Sequence, residues 1–235
     1  MDTAGESDPD DAGEEGVRQR RNRETRQRIH MTALELGEAR GMADVTVGEI
    51  AEAAGISRRS FFRYFKNKEE AVLSGHSRYL QAAASMPLDV TSRAEAFNAI
   101  ERIGDAVLAQ EGTPELAEHR RINRLVNHDP AIRAYAVAQD RIVADLFRDR
   151  LSEAMPDEAL SSLELLADLA VTVWRHGWVR WTTQAATAGA ESAAGSPAGS
   201  PAVVPIGSPA GLPAETPAES HRAVRQLFRE LAAAV

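Results

Sequence analysis

Cysteine is absent from this chain of 235 residues, which excludes a disulfide framework, a cysteine-ligated zinc site and a thiol nucleophile. Aromatic residues are scarce, at 5% of a chain that is 43% hydrophobic. Strands draw on Tyr, Phe, Val and Thr, whereas alanine is abundant here, so the balance predicts an all-α protein whose helices pack through small side chains. No run of about 18 apolar residues occurs, and no membrane partner is expected. The opening Met1-Asp2-Thr3-Ala4-Gly5-Glu6 is acidic where a secretory leader would be basic and then apolar, so a cytoplasmic location is expected. Enzyme signatures are missing too. None of His30, His76, His119, His128, His176 and His221 follows a Glu by three residues, as an inward-facing di-iron bundle requires. There is no His-Glu-x-x-His, Gly-x-Ser-x-Gly or P-loop pattern, and the chain reads as a non-enzyme without metal or cofactor.

The formal charge of −8 argues against nucleic acid only if it is spread evenly, and it is not. Residues 1–17 hold seven acids and no base, while residues 18–68 hold twelve bases against six acids, a net +6. The remainder carries −7. A basic module is concealed in an acidic chain, which is the charge distribution a phosphate backbone demands.

Low hydrophobicity and one-signed charge predict a disordered acidic tail over 1–17. From Thr25 to Arg40, the apolar positions Ile29, Ala33 and Leu36 recur at helical spacing and Gly41 supplies a stop. Thr46 then precedes Val47, Ile50, Ala51 and Ala54, and Glu49 completes a Thr-x-x-Glu capping box. This second helix stops at Gly55, and Ser57 can cap a third running to about Phe65. Two short helices separated by Gly55-Ile56-Ser57 predict a helix-turn-helix. Further helices are expected near 69–85, 92–110, 114–127, 130–154 and 157–184, with Thr113-Pro114-Glu115 and Asp129-Pro130-Ala131 each placing a cap before a proline. Between 185 and 218 the prolines 197, 201, 205, 209, 213 and 217 recur every fourth residue. No α-helix can cross them, and their spacing does not match the three-residue period of a polyproline helix; a disordered Pro/Ala/Gly/Ser linker is expected. Val224, Leu227, Phe228 and Leu231 form a last stripe, so 219–235 should be a helix that docks.

At about 100° per residue, Ser57, Phe61 and Phe65 share one face of the third helix, and Arg59 and Arg63 project from the opposite one. Arg58 and Ser60 flank it. Such a helix fits a major groove, with arginine able to read guanine O6 and N7 or to pair with phosphate. Arginines 18, 20, 21, 23, 26 and 28 form a basic arm that can follow the DNA backbone or enter a minor groove.

The residues Thr46-Val47-x-x-Ile50-Ala51-x-x-Ala54-Gly55-Ile56-Ser57 and Phe61-Phe62-Arg63-Tyr64-Phe65-x-Asn67-Lys68-Glu69 resemble the signature of the TetR family of transcriptional regulators, over about 25–73. The resemblance implies an N-terminal three-helix DNA-binding domain at 18–68, followed by a larger helical ligand-binding and dimerisation domain at 69–184. It implies phosphate contacts from the Thr46 hydroxyl, the N-terminus of its helix and Lys68. Three positions depart from the family's habit. Phe62 stands where Tyr is common, Tyr64 where His is frequent and able to replace the missing hydroxyl, and Arg59 where Gly often stands, which alters base preference. The expected DNA-contacting set is therefore Thr46, Ser57, Arg58, Arg59, Ser60, Arg63, Tyr64 and Lys68.

The resemblance further implies a double-stranded operator, a small-molecule effector and a homodimer, most simply a repressor. Residues 118–150 are similar to the mycofactocin-associated branch of the family, which makes acyl-CoA the first candidate effector. The cationic cluster Arg120, Arg121 and Arg124 can accept an anionic head group, with Leu116, Leu125 and Val126 near an apolar tail and Trp174 in the cavity wall. For the dimer, Leu163, Ala167, Ala170, Trp174, Trp178 and Trp181 lie on one face, and together with the terminal stripe they are expected at the interface; each stripe can also be intramolecular core. The reading from a different class is a helical protein that binds DNA without sequence preference or binds a protein partner.

Overall fold

The computed structural model describes residues 9–111, 115–194 and 215–233, and among these only helices, turns and loops occur. The helices are α1 (Pro9–Arg40), α2 (Val47–Ala53), α3 (Arg58–Phe61), α4 (Lys68–Val72), α5 (His76–Ser85), α6 (Arg93–Glu111), α7 (Leu116–His128), α8 (Pro130–Ala154), α9 (Leu160–Ala194) and α10 (Pro217–Ala233), with a 3₁₀ turn at Met42–Asp44. The chain forms two compact units, one of residues up to Ser74 with His128–Tyr135, the other of Gly75–Asn127 with Ala136 onward.

In the first unit α1 buries Ile29, His30, Ala33 and Leu34. Against this face pack Ile50 and Ala51 of α2, Phe61 and Phe65, and Ala71 and Val72. His30 Nδ1 donates to Ala71 O at 2.7 Å, so the buried imidazole is fastened to α4. Asp129 caps α8, its Oδ1 accepting from the amides of Ala131 and Ile132 at 2.9 and 3.0 Å. Its Oδ2 accepts from Met42 N at 2.6 Å, fastening the start of α8 to the 3₁₀ turn. Pro130 at the first helical position loses nothing by lacking an N–H.

The second unit buries Tyr79 and Ala83 of α5, Ala96, Ile100, Ile103 and Val107 of α6, Val143, Phe147 and Leu151 of α8, and Leu163, Ala167 and Ala170 of α9 in one core. Arg150 donates to the carbonyls of Ala83 and Met86, closing the end of α5. Onto α9 and α6 docks α10. Phe228 stacks on Phe97 with centroids 5.1 Å apart, Arg225 meets Asp105 at 2.8 Å and Arg229 meets Glu101 at 2.6 Å. The helix begins with its own capping box, in which Thr216 N donates to Glu219 at 2.7 Å and Glu219 N donates back to Thr216 Oγ1.

Several expected boundaries move. Helix α1 starts at Pro9, so residues 9–17, expected as part of a disordered tail, are helical; Pro9 suits a first helical position, and acids following it suit the positive end of a helix dipole. The expected helix 69–85 is two helices separated at Leu73–Gly75. The third helix ends at Phe61, and Phe62–Tyr64 continue as a turn in which Arg63 N and Tyr64 N donate back three residues. Helix α9 continues through Ala194, not ending at 184; residues 185–194 are Ala-rich and free of proline, so nothing stops the helix before Pro197. Pro217 opens α10 instead of ending the linker. Residues 1–8 of the tail, the Thr113-Pro114 cap and the proline repeat over 195–214 lie outside the described residues. The tryptophan-bearing stripe is core, with Leu163, Ala167, Ala170 and Trp181 all buried within one chain.

The docked α10 carries His221, 3% exposed, whose pKa is lowered to about 3 by burial and by nearby Arg225. In an unfolded chain a histidine takes up its proton near about pH 6.5, so the released helix binds a proton that the docked one refuses. Stability is expected to be full above that pH and to fall as pH drops toward 3. Urea unfolding followed by tryptophan fluorescence at pH 7.5 and pH 4.5 checks this, with His221→Phe expected to lose less between the two.

Candidate nucleic-acid interface

The turn between α2 and α3 rests on Gly55, whose φ of 67° lies in the left-handed region that residues with a Cβ rarely adopt. Gly55 N donates to Glu52 O and Ile56 N to Ala51 O, closing α2. At the start of α2, Glu49 N donates to Thr46 Oγ1 at 3.2 Å while Thr46 N donates to Glu49 Oε2 at 2.8 Å. The Thr46 amide, the Thr46 hydroxyl and Arg40 together lower the Glu49 pKa to about 2. Ser57 Oγ accepts from Ser60 N at 3.1 Å and caps α3.

Phe61 and Phe65 are 0% and 2% exposed, and burying each contributes about 1.5–3 kcal/mol. Two arginines of α1 hold the other edge of this motif. Arg26 Nη1 donates to Tyr64 O at 2.9 Å and its guanidinium lies 4.4 Å above the Phe65 ring; Arg28 Nε donates to Ala54 O at 2.9 Å. With its apolar side locked, α3 and the turn after it turn Arg58, Arg59 and Arg63 to solvent. Phe62, 53% exposed, stands among them, edge-on to Phe61 at 5.5 Å.

Residues 29–73 match the family model described as bacterial regulatory proteins, tetR family. The likeness to that family's N-terminal domain is confined to these residues. It is similar to MftR of Mycobacterium tuberculosis, whose name assigns it to transcriptional regulation of mycofactocin biosynthesis, with 32% identity over 50% of this chain and 59% of that protein. It is also similar to the HTH-type transcriptional regulator TcmR of Streptomyces glaucescens, 38% identical over 51% of this chain and 55% of that one. The match thus spans little more than half the length of these curated relatives, whose names are those of regulators and not of enzymes. A solved structure of Thermus thermophilus FadR, a TetR-family repressor in complex with lauroyl-CoA, compares at a TM-score of 0.37 and 18% identity, covering 87% of this chain and 93% of that one.

Within the matched residues, Arg58, Arg59 and Arg63 are exposed, and the hydroxyls of Ser57 and Ser60 lie 2.9 Å apart. Tyr64 is half-buried. Thr46 is exposed, but its single hydroxyl proton is donated to Glu49 Oε2 at 2.8 Å, so a phosphate, which only accepts, meets the amide end of α2 before it meets this hydroxyl. Lys68, expected at a phosphate, has partners within the chain. Its ammonium donates to Met42 O and to Val45 O, the latter at 2.7 Å, tying the 3₁₀ turn to α4. The expected mobile arm is also corrected: arginines 18, 20, 21, 23, 26 and 28 all lie on α1, and the last two of them hold the motif together. Asp129, not singled out as a site residue, meets Met42 of this domain; its sequence signal, a cap before Pro130, shows only the bond to its own helix.

Of the residues expected to meet an effector, Trp174 lines one cleft and the three arginines of α7 are not in its lining. The cleft, of about 20 Å³, lies between α6, α9 and α10. Arg120 Nε instead donates to Thr182 O at 3.3 Å, and Arg124 is exposed. Among the described residues no helix is long and apolar enough to cross a membrane, and no group of three or more His, Asp or Glu is arranged to hold a metal ion.

Removing the Lys68 ammonium strands carbonyls it now satisfies. Lys68→Met is expected to lower stability by about 1–3 kcal/mol in calorimetric unfolding and to leave the salt dependence of DNA binding unchanged.

Proposed function

We propose that the chain is a dimeric, sequence-specific DNA-binding repressor that a small molecule releases from its operator. The observation that carries the reading is the exposed group Arg58 and Arg59 on α3 and Arg63 in the turn after it, beside the buried Phe61 and Phe65. A guanidinium on such a helix can fork onto guanine O6 and N7 or pair with a phosphate. The regulator names of the relatives support it.

A helix-turn-helix engages two half-sites about 34–36 Å apart as a pair, so some surface joins two copies. With Leu163, Ala167, Ala170 and Trp181 in the core, the exposed apolar side chains of the second unit include Val137 and Ile142 on α8, Leu160, Leu165 and Val179 on α9, and Leu227 and Leu231 on α10, and the reading takes those of α9 and α10 as the interface. Two helices from each subunit, related by a two-fold axis, bury that surface as a four-helix bundle. Phe228 takes no part, since it already stacks on Phe97 within the chain.

The second unit supplies a place for an effector, whose binding weakens DNA binding by a coupling of about 1–3 kcal/mol if it favours a conformation unsuited to the operator. Acyl-CoA, the candidate that the resemblance suggested, finds no support in the lining of the cleft, because the cationic residues meant for its head group stand elsewhere.

Arg59→Ala and Arg63→Ala are each expected to weaken operator binding by about 1–3 kcal/mol. Gel shifts on a selected operator and a scrambled one test this, and a specificity ratio near unity in place of about 10³–10⁷ would favour sequence-independent binding. Leu227→Asp combined with Leu231→Asp is expected to give folded monomers in sedimentation, because both side chains are exposed in the single chain; a dimer of that variant would exclude α10 from the interface.

A further inference from the structure

Among the described side chains of the first unit, Phe62 is the large apolar one that folding leaves in solvent, 53% exposed, while Phe61 and Phe65 are buried. Single exposed apolar residues are ordinary on protein surfaces; this ring is set apart by its company and by its restraint. Phe62 N donates to Arg58 O at 3.3 Å, so the helical path of α3 reaches as far as this residue. At about 100° per residue, Phe62 lies about 40° from Arg58 and about 60° from Arg59, between the two. Arg63 follows in the turn, and all three arginines are exposed.

The ring stands edge-on to Phe61, with centroids 5.5 Å apart and planes 86° from parallel. This is a favoured geometry for two aromatic rings, and Phe61, 0% exposed, is a fixed wall. A side chain held in this way loses little freedom when it meets a partner.

The arginines suit a nucleic-acid surface, and the chemistry of the ring limits what it can recognise there. A phenyl group neither donates nor accepts a hydrogen bond. Set against a phosphate, it would strip water from charged oxygens and return nothing. At base edges in the major groove the groups on offer are hydrogen-bond donors and acceptors with one exception, the C5-methyl of thymine. A 5-methylcytosine carries the same methyl at the same ring position. The two flanking guanidiniums can meet guanine O6 and N7 or phosphate, which brings the ring between them to the edge of a base.

We propose that Phe62 is a specificity-determining residue that reads the C5-methyl of one pyrimidine in each half-site, between the groups met by Arg58 and Arg59. The inference rests on the sequence-specific reading of the chain and names the part of the sequence that an apolar side chain decides. Taking one methyl out of water against the ring is worth about fourfold in affinity.

Duplexes that the full chain selects from a random pool supply the operator. Each thymine is exchanged singly for deoxyuridine and each cytosine for 5-methylcytosine, changes that alter a methyl and no hydrogen-bonding group. In fluorescence anisotropy, one deoxyuridine position per half-site is expected to weaken binding about fourfold where the methyl is thymine's. Where it is that of a methylated cytosine, one 5-methylcytosine position is expected to strengthen binding by about the same factor. Phe62→Ala is expected to bind duplexes with and without that methyl equally, and Phe62→Leu, still apolar, to keep part of the difference. The methyl is removed from the DNA, so the wild-type result does not depend on how a variant folds. No methyl sensitivity at any position, or a sensitivity unchanged in Phe62→Ala, overturns the proposal, and with a high ratio of selected to scrambled binding it leaves the sequence-specific reading standing. A ratio near unity overturns both.

Discussion

Burial of Phe61 and Phe65 is the interaction on which the placement of the exposed arginines beside them depends. Rotating α3 by one residue would shift every side chain on it by about 100°, exposing Phe61 and displacing Arg58 and Arg59. The cost of exposing that ring, about 1.5–3 kcal/mol, holds the orientation of Arg58 and Arg59. The clamps from α1 act on the same element, since Arg26 fastens Tyr64 O and covers the Phe65 ring. Position here is set by apolar burial, and the charged groups inherit it.

The charge of the module is less uniform than its sum. Of the twelve bases between residues 18 and 68, Arg26, Arg28 and Lys68 donate to backbone carbonyls, and Arg20 and Arg40 pair with Glu24 and Glu49. Such groups fold the domain, and a phosphate must compete with partners they already have. Outside these five, Arg18, Arg21 and Arg23 are exposed on α1, and Arg58, Arg59, Arg63 and Lys66 on α3 and the segment after it. A net charge counts residues, whereas a binding surface is made of the side chains that folding leaves uncommitted.

In the second unit a different economy operates, one of ring shape. The absence of side chains at Gly104 and Gly177 lets Trp174 and His221 lie against helix backbones. The docking of α10 brings His221 to α9, and ion pairs from Arg225 and Arg229 to α6 hold the helix at that height. Leu227 and Leu231 remain outside, so one helix has an inner face committed to its own chain and an outer one available to a second copy.

Much of this architecture was legible because helix punctuation is decided within four residues. The Thr46 and Glu49 capping box, the turn at Gly55, the Ser57 cap and the Asp129-Pro130 start each include hydrogen bonds local to their own helices, and the 3.6-residue period marked Phe61 and Phe65 as one face. What sequence reasoning missed joins residues far apart in the chain: Lys68 finds carbonyls 23 and 26 residues away, and Asp129 finds Met42 across 87 residues. The stripe from Leu163 to Trp181 was read as one face with either an interface or the chain's own core as its neighbour, and Leu163, Ala167, Ala170 and Trp181 are buried within the single chain. Periodicity determines which side chains share a face, because that follows from backbone geometry alone. What meets the face, whether its own core, a second subunit, a phosphate or a ligand, depends on where the other helices come to rest, and only the tertiary structure decides that.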